Sequence, residues 1–162
     1  MPRQWVVNAS PLIILGKIDL LHILHGLAEP LVVPAAVAQE IAAGPESDPV
    51  RQWLTGPGHE YIHDVGDLEP IVANWDLGRG EGQVLTWAFR HPGFEAILDD
   101  LAARKCAAAL SIPVRGTLGL LPLAKKEGHL GLLGPVLERI QQEGLYISPD
   151  VVEAILRLAG EQ

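Results

Sequence analysis

AILDDLAARKCAAALSIPVRGT, Ala96 to Thr117, is the stretch on which the reading of this chain turns. Ala96, Ile97 and Leu98 read as the end of a short buried strand. Leu101 to Leu110 holds good helix formers, with Leu101, Ala102, Cys106, Ala109 and Leu110 spaced as the apolar face. Asp99 and Asp100 fall at the junction. Ile112, Pro113 and Val114 begin a second apolar run that ends at Arg115, Gly116 and Thr117, so the unit predicts a strand, helix, strand crossover. In an open parallel sheet, ligands gather beyond the carboxyl ends of the strands, where the acid pair and Thr117 would stand. A simpler role for either aspartate is to cap the helix and complement its dipole. Chemistry at this point requires further acids from elsewhere in the chain.

Outward from that unit, the same pattern recurs. Trp5, Val6 and Val7 make a brief strand that stops at Asn8, and Ser10 and Pro11 read as N-cap and first residue of a helix. A leucine-rich helical stretch follows, with Gly16 or the Lys17 to Asp19 region as a possible break. Leu31, Val32 and Val33 form the next strand, and Pro34 opens a helix over Ala35 to Ala43. Gly44-Pro45, Pro49 and Gly56-Pro57-Gly58 punctuate a loop region around a short helix at Arg51 to Leu54, after which Tyr61 and Ile62 suggest a peripheral strand. Gly78-Arg79-Gly80 interrupts, and Glu81 begins a helix running to about Phe89. Beyond Thr117, three amphipathic helices are expected at Leu118 to Lys126, Val136 to Gln141 and Pro149 to Leu158. Short strands alternating with helices predict an α/β three-layer sandwich with a mainly parallel central sheet flanked by helices.

At 162 residues and 48% hydrophobic content, the chain suits one domain with a real core. Its net charge of -8 opposes broad, nonspecific attraction to nucleic acid, while leaving room for a local basic rim. The lone cysteine, Cys106, cannot form an internal disulfide and reads as core filling. No signal-like opening and no run of membrane-spanning length are found, so a cytoplasmic protein is expected. The histidine pairs His22/His25 and His59/His63 lack an accompanying cysteine or acid pattern for zinc.

Further acids converge by position. Glu81 shares a helix face with Val84, Leu85 and Ala88, so its carboxylate follows the apolar stripe; dipole compensation at the helix start is its simpler role. Glu40 lies at the edge of the face set by Val37 and Ile41. Asn8 ends the first strand, where it would either project over the sheet edge or bond its own turn. Arg104, one turn beyond Asp100, would pair with that carboxylate or offer a fork to phosphate, and pairing is the expectation. Arg79, Lys105, Arg115, Lys125 and Lys126 would supply the basic rim.

Asn8, Glu40, Glu81, Asp99 and Asp100, in this order, resemble the PIN-domain ribonucleases. The likeness runs through NASPL (Asn8 to Leu12), VVPAAVAQEI (Val32 to Ile41), GRGEGQVLTWA (Gly78 to Ala88), LDDLAAR (Leu98 to Arg104) and RGTLGLL (Arg115 to Leu121), and covers roughly residues 5 to 128. It is closest to a subgroup with the Asn-Ala-Ser-Pro-Leu opening, similar to the toxin half of toxin-antitoxin pairs. The resemblance implies a single PIN-like domain over 1–162, with 129–162 as a C-terminal helical extension. It implies that the five residues bind Mg²⁺ or Mn²⁺, that Thr117 helps orient the acids, and that the enzyme hydrolyses RNA phosphodiester bonds. An antitoxin protein and a second copy of the chain are the implied protein partners.

One residue departs from the pattern: PIN nucleases generally carry aspartate where this chain has Asn8, which removes a negative charge and offers only an amide oxygen. The alternative is therefore a catalytically weak or inactive PIN-like module that binds RNA or protein. A third reading is a phosphoacceptor domain using the acid pair, Thr117 and a lysine such as Lys125.

Overall fold

The computed structural model describes residues 2–161. Five strands, β1 (Arg3–Val7), β2 (Ala28–Pro34), β3 (Ile62–His63), β4 (Phe94–Ile97) and β5 (Val114–Arg115), pair in the order β3-β2-β1-β4-β5, and every pairing is parallel. Parallel neighbours need helical crossovers, and an order that runs in both directions from β1 puts those crossovers on both faces of the sheet. The result is the expected three-layer α/β sandwich. Its two central strands are apolar on both sides, as such a position demands: Trp5, Val6, Val7, Ala96, Ile97 and Leu98 are all fully buried.

The first crossover contains two helices, α1 (Ala9–Lys17) and α2 (Ile23–Leu27), with the break after Lys17. Helix α3 (Ala35–Ala42) leaves β2 immediately, and α4 (Pro49–Thr55) and a single 3-10 turn lead to β3. The return passes through the short α5 (Pro70–Ala73) and then α6 (Arg79–Arg90), which packs over β1, β2 and β4. Helix α7 (Leu101–Ala109) joins β4 to β5, and α8 (Thr117–Lys126), α9 (Leu133–Gln142) and α10 (Pro149–Leu158) complete the chain. The last two pack on α8 and on each other, and Leu133, Leu137, Ile140, Ile147 and Ile155 join the same hydrophobic core as the sheet. No helix among the described residues is long and apolar enough to cross a membrane.

Three local expectations are corrected. Helix α1 begins at Ala9 with Asn8, not Ser10, at the N-cap position, because the strand ends so abruptly at Val7 that the chain turns at the next residue. Helix α6 begins at Arg79 and takes Gly80 inside its first turn, so the glycine pair is part of the helix start and not a break before it. On α7 the buried residues are Ala103, Cys106 and Ala107, while Leu101 is 67% exposed. Alanine is small enough to face either way, so apolar spacing alone misplaces the seam by about one residue. Thr117 is the first residue of α8, whose N-cap is Gly116, and its hydroxyl is turned to another use.

Candidate metal centre

The sheet changes direction between β1 and β4, and the crevice beyond their carboxyl ends is where an open α/β sheet offers its binding site. The register pairs Val7 with Ile97, and the Asn8 N–H continues the ladder by donating to the Ile97 carbonyl at 2.9 Å. Asn8 and Asp99 thus emerge side by side at the head of the crevice.

Asn8 does not behave as a turn residue. Although it stands at the N-cap of α1, its side chain makes no cap hydrogen bond. The residue is 4% exposed, and its Oδ1 is buried without a partner. An orphaned acceptor of this kind costs about 1–3 kcal/mol, so a donor or a cation is wanted there.

Gly80 shows what lies next to that oxygen. A Cβ on Gly80 would sit 3.1 Å from Glu40 Oε1, 3.5 Å from Asn8 Oδ1 and 3.5 Å from Val37 Cγ2. The absent side chain is what lets α6 approach α3 and β1 closely enough for these oxygens to share one space. Gln83 fixes the approach by accepting from the Ala36 N–H at 2.9 Å, and Arg79 donates to Gln39 at 3.2 Å. Glu81, half-buried one residue on, folds back toward the start of α6, with Oε2 2.5 Å from where a Gly78 Cβ would be. Partial desolvation, and then the like charge of Glu81, push the Glu40 carboxyl above its ordinary range. Asn8 and Glu40 therefore bring their oxygens to one space beside Gly80, with the Glu81 charge close enough to be felt by Glu40.

Asp99 and Thr117 form a second group. Thr117 donates twice to Asp99, from its backbone N–H to Oδ1 at 2.9 Å and from Oγ1 to Oδ2 at 2.6 Å. The carboxylate is locked in orientation at the N-terminus of α8, whose dipole favours its charge. Lone pairs remain on both oxygens for a further ligand. Asp100 caps α7, accepting from the Ala103 N–H through Oδ2 at 2.9 Å.

The expected Arg104–Asp100 pairing is absent, and Arg104 forms no ion pair among the described residues. Its two terminal nitrogens each lie 3.6 Å from where a Gly116 Cβ would sit, a point only 2.9 Å from Asp99 Oδ1. One turn of helix points Arg104 past its own cap residue toward the neighbouring aspartate. Arg115 and Lys125 leave the expected basic rim, since they pair with Glu95 at 3.2 Å and Glu161 at 2.6 Å. Lys125, the lysine offered as an example for the phosphoacceptor reading, is engaged by Glu161.

The acids thus stand in two neighbouring sets. Among the described residues, no three His, Cys, Asp or Glu side chains come together at metal-holding spacing; the tightest oxygen set uses the Asn8 amide. What sequence reading missed is Gly80, whose role is steric, and the placement of Arg104 and Asp99 on either side of Gly116. The glycine flanked by Arg79 and Glu81 was the available signal, visible only as a departure from helix-forming composition.

A family model described as PIN domain matches residues 4–161, and no curated protein matches the chain. The match spans almost all of the sequence, and PIN domains are typically nucleases that use divalent metals. With its parallel sheet, its acids at the β1/β4 switch point and this match, the chain belongs to the PIN-domain family.

Proposed function

We propose that this protein is a metal-dependent endoribonuclease that hydrolyses RNA phosphodiester bonds, as the toxin component of a toxin-antitoxin pair. The observation that carries the reading is the unpartnered, buried Asn8 Oδ1 near Glu40. Such an arrangement is unfavourable in isolation, because the Glu81 charge opposes ionisation of Glu40 and the Asn8 oxygen has no donor. Oxygen-only donors suit Mg²⁺ or Mn²⁺ in chemistry, and the unpartnered Asn8 oxygen is one that such an ion would satisfy. Asn8, Glu40 and Glu81 on one side and Asp99 and Asp100 on the other are the side chains that would have to draw together to hold it.

When bound, the cation would lower the pKa of a water and neutralise charge on the phosphate. The chain's own residues do the positioning. Thr117 fixes the Asp99 carboxylate, so its free lone pairs face a defined direction. Arg104, free of any ion pair among the described residues, presents a planar fork of donors beside Asp99 and is suited to hold the phosphate being cut.

A second reading, a weak or inactive RNA- or protein-binding module, is favoured by the neutral Asn8 alone. Cleavage of a mixed RNA pool with Mn²⁺ separates the two. The wild-type protein is expected to cleave, and the double variant Asp99→Asn, Asp100→Asn to lose at least about a hundredfold. Equal activity in both removes these acids from the chemistry, and no cleavage by either leaves the binding module.

A homodimer, with an antitoxin as the other protein partner, completes the proposal. Its support is the apolar surface of the C-terminal helices, where Val151 and Leu158, two turns apart on α10, are 41% and 77% exposed.

A further inference from the structure

We propose that the loop joining α9 to α10 forms a stacking subsite for one unpaired base of the RNA strand, with Tyr146 as its platform. The proposal rests on the nuclease reading of the neighbouring acids. Tyr146 is 80% exposed and the adjacent Leu145 is 41% exposed, two large apolar side chains held side by side in water where burial would be worth about 25 cal/mol per Å².

They do not stand on open surface. Together with Ile13 and Ile14 of α1 and Leu118 of α8 they line a cleft of about 390 Å³, at the low end of the range for small-ligand sites. Asp99 and Thr117 line the same cleft. A base lying against Tyr146 would therefore place the attached phosphate next to the carboxylate that Thr117 orients.

The lining chemistry selects the occupant. Apolar walls and an exposed phenol ring match a flat heterocycle, which stacks on an aromatic face irrespective of its identity. Lys17 stands in the cleft wall and forms no ion pair among the described residues, so it can meet the strand's backbone. Glu143 is the opposing charge in the lining. A carboxylate only accepts hydrogen bonds, so it repels phosphate and favours the donor groups on a base edge, orienting the base inward and the backbone toward Lys17. Those edges are engaged in a duplex, so the subsite takes a single strand.

The test is binding of a short single-stranded RNA carrying a fluorescent adenine analogue to the full chain in EDTA, followed by cleavage with Mn²⁺. Tyr146→Ala is expected to weaken binding about ten- to a hundredfold, the loss of one stacked base, to abolish quenching of the analogue and to raise KM with little change in kcat. Tyr146→Phe is expected to restore binding, and thermal unfolding of each variant to match the wild type, since the side chain is exposed. Wild-type affinity in Tyr146→Ala, or a Phe variant as impaired as the Ala variant, overturns the subsite. Altered self-association with unchanged RNA affinity makes the loop a protein interface and overturns it equally. If Tyr146→Ala cleaves with wild-type KM, the subsite falls and the nuclease reading stands. If the wild type binds single strands through Tyr146 without cutting them, the subsite stands and the nuclease reading falls.

Discussion

Asn8 concentrates the chemical question in a single side chain. A neutral amide in the place of an acid keeps the oxygen and loses the charge, and the buried, partnerless Oδ1 is the reason to propose the position as part of the site. Restoring the carboxylate by Asn8→Asp adds one negative charge to a group where Glu40 already resists ionisation. Without metal the variant is expected to be less stable than the wild type, because a third charge joins the repulsion. With Mn²⁺ it is expected to bind at least about tenfold more tightly, a gain of roughly 1.4 kcal/mol. Isothermal calorimetry checks both the sign and the size, and unchanged or weaker affinity removes Asn8 from the pocket. Gly80 is the steric counterpart: a Cβ there meets Glu40 Oε1 at 3.1 Å, so the Glu40 carboxylate would have to shift by a few tenths of an ångström away from Asn8.

Helix ends are where this molecule spends its carboxylates. Asp99 serves α8, Asp100 serves α7, and Glu161 serves α9 from the far side of α10. Glu161 accepts from the Leu133 N–H at 2.7 Å, the Gly134 N–H at 3.2 Å and Lys125 Nζ at 2.6 Å. The α9 N-terminus has no cap of its own, since Leu132 stands at the N-cap position, and a distant acid fills the vacancy and ties α8, α9 and α10 together. The hydrogen bond from Lys125, and then those from the backbone, hold the Glu161 carboxyl below its usual range. A carboxylate depressed in the folded state contributes stability above its unfolded pKa and loses it as pH falls through the folded one. Glu161→Gln is therefore expected to speed amide exchange in α9 and α10 several-fold at neutral pH. The two proteins should converge below the carboxylate range. Hydrogen exchange across that range checks the prediction, and a difference that persists in strong acid would assign the effect to packing instead.

At the scale of the whole molecule, the sheet order brings the ends of β1 and β4 into one crevice, while the C-terminal helices add the remaining wall through the α9–α10 loop. The same helices present Val151 and Leu158 to solvent. If that surface joins two copies, Leu158→Glu is expected to halve the mass in solution while changing monomer stability by no more than about 0.5 kcal/mol, as exposed substitutions do. Light scattering after size exclusion reads the outcome, and a wild-type protein already monomeric at tens of micromolar removes the homodimer.

Sequence alone determined the alternation of elements, the parallel sheet and the crossover from Ala96 to Thr117, because those depend on apolar periodicity and on glycine and proline, which act locally. It placed Asn8, Asp99 and Thr117 at strand ends for the same reason. Only the tertiary structure decided which groups meet: that Asn8 leaves its cap unmade, that Thr117 grips Asp99, that Gly80 admits Glu40, and that Arg104 turns past Asp100. Each of these is a contact between segments tens of residues apart or a choice between two partners on one helix turn, and its outcome is set by the distance between packed elements. Periodicity carries no record of that distance.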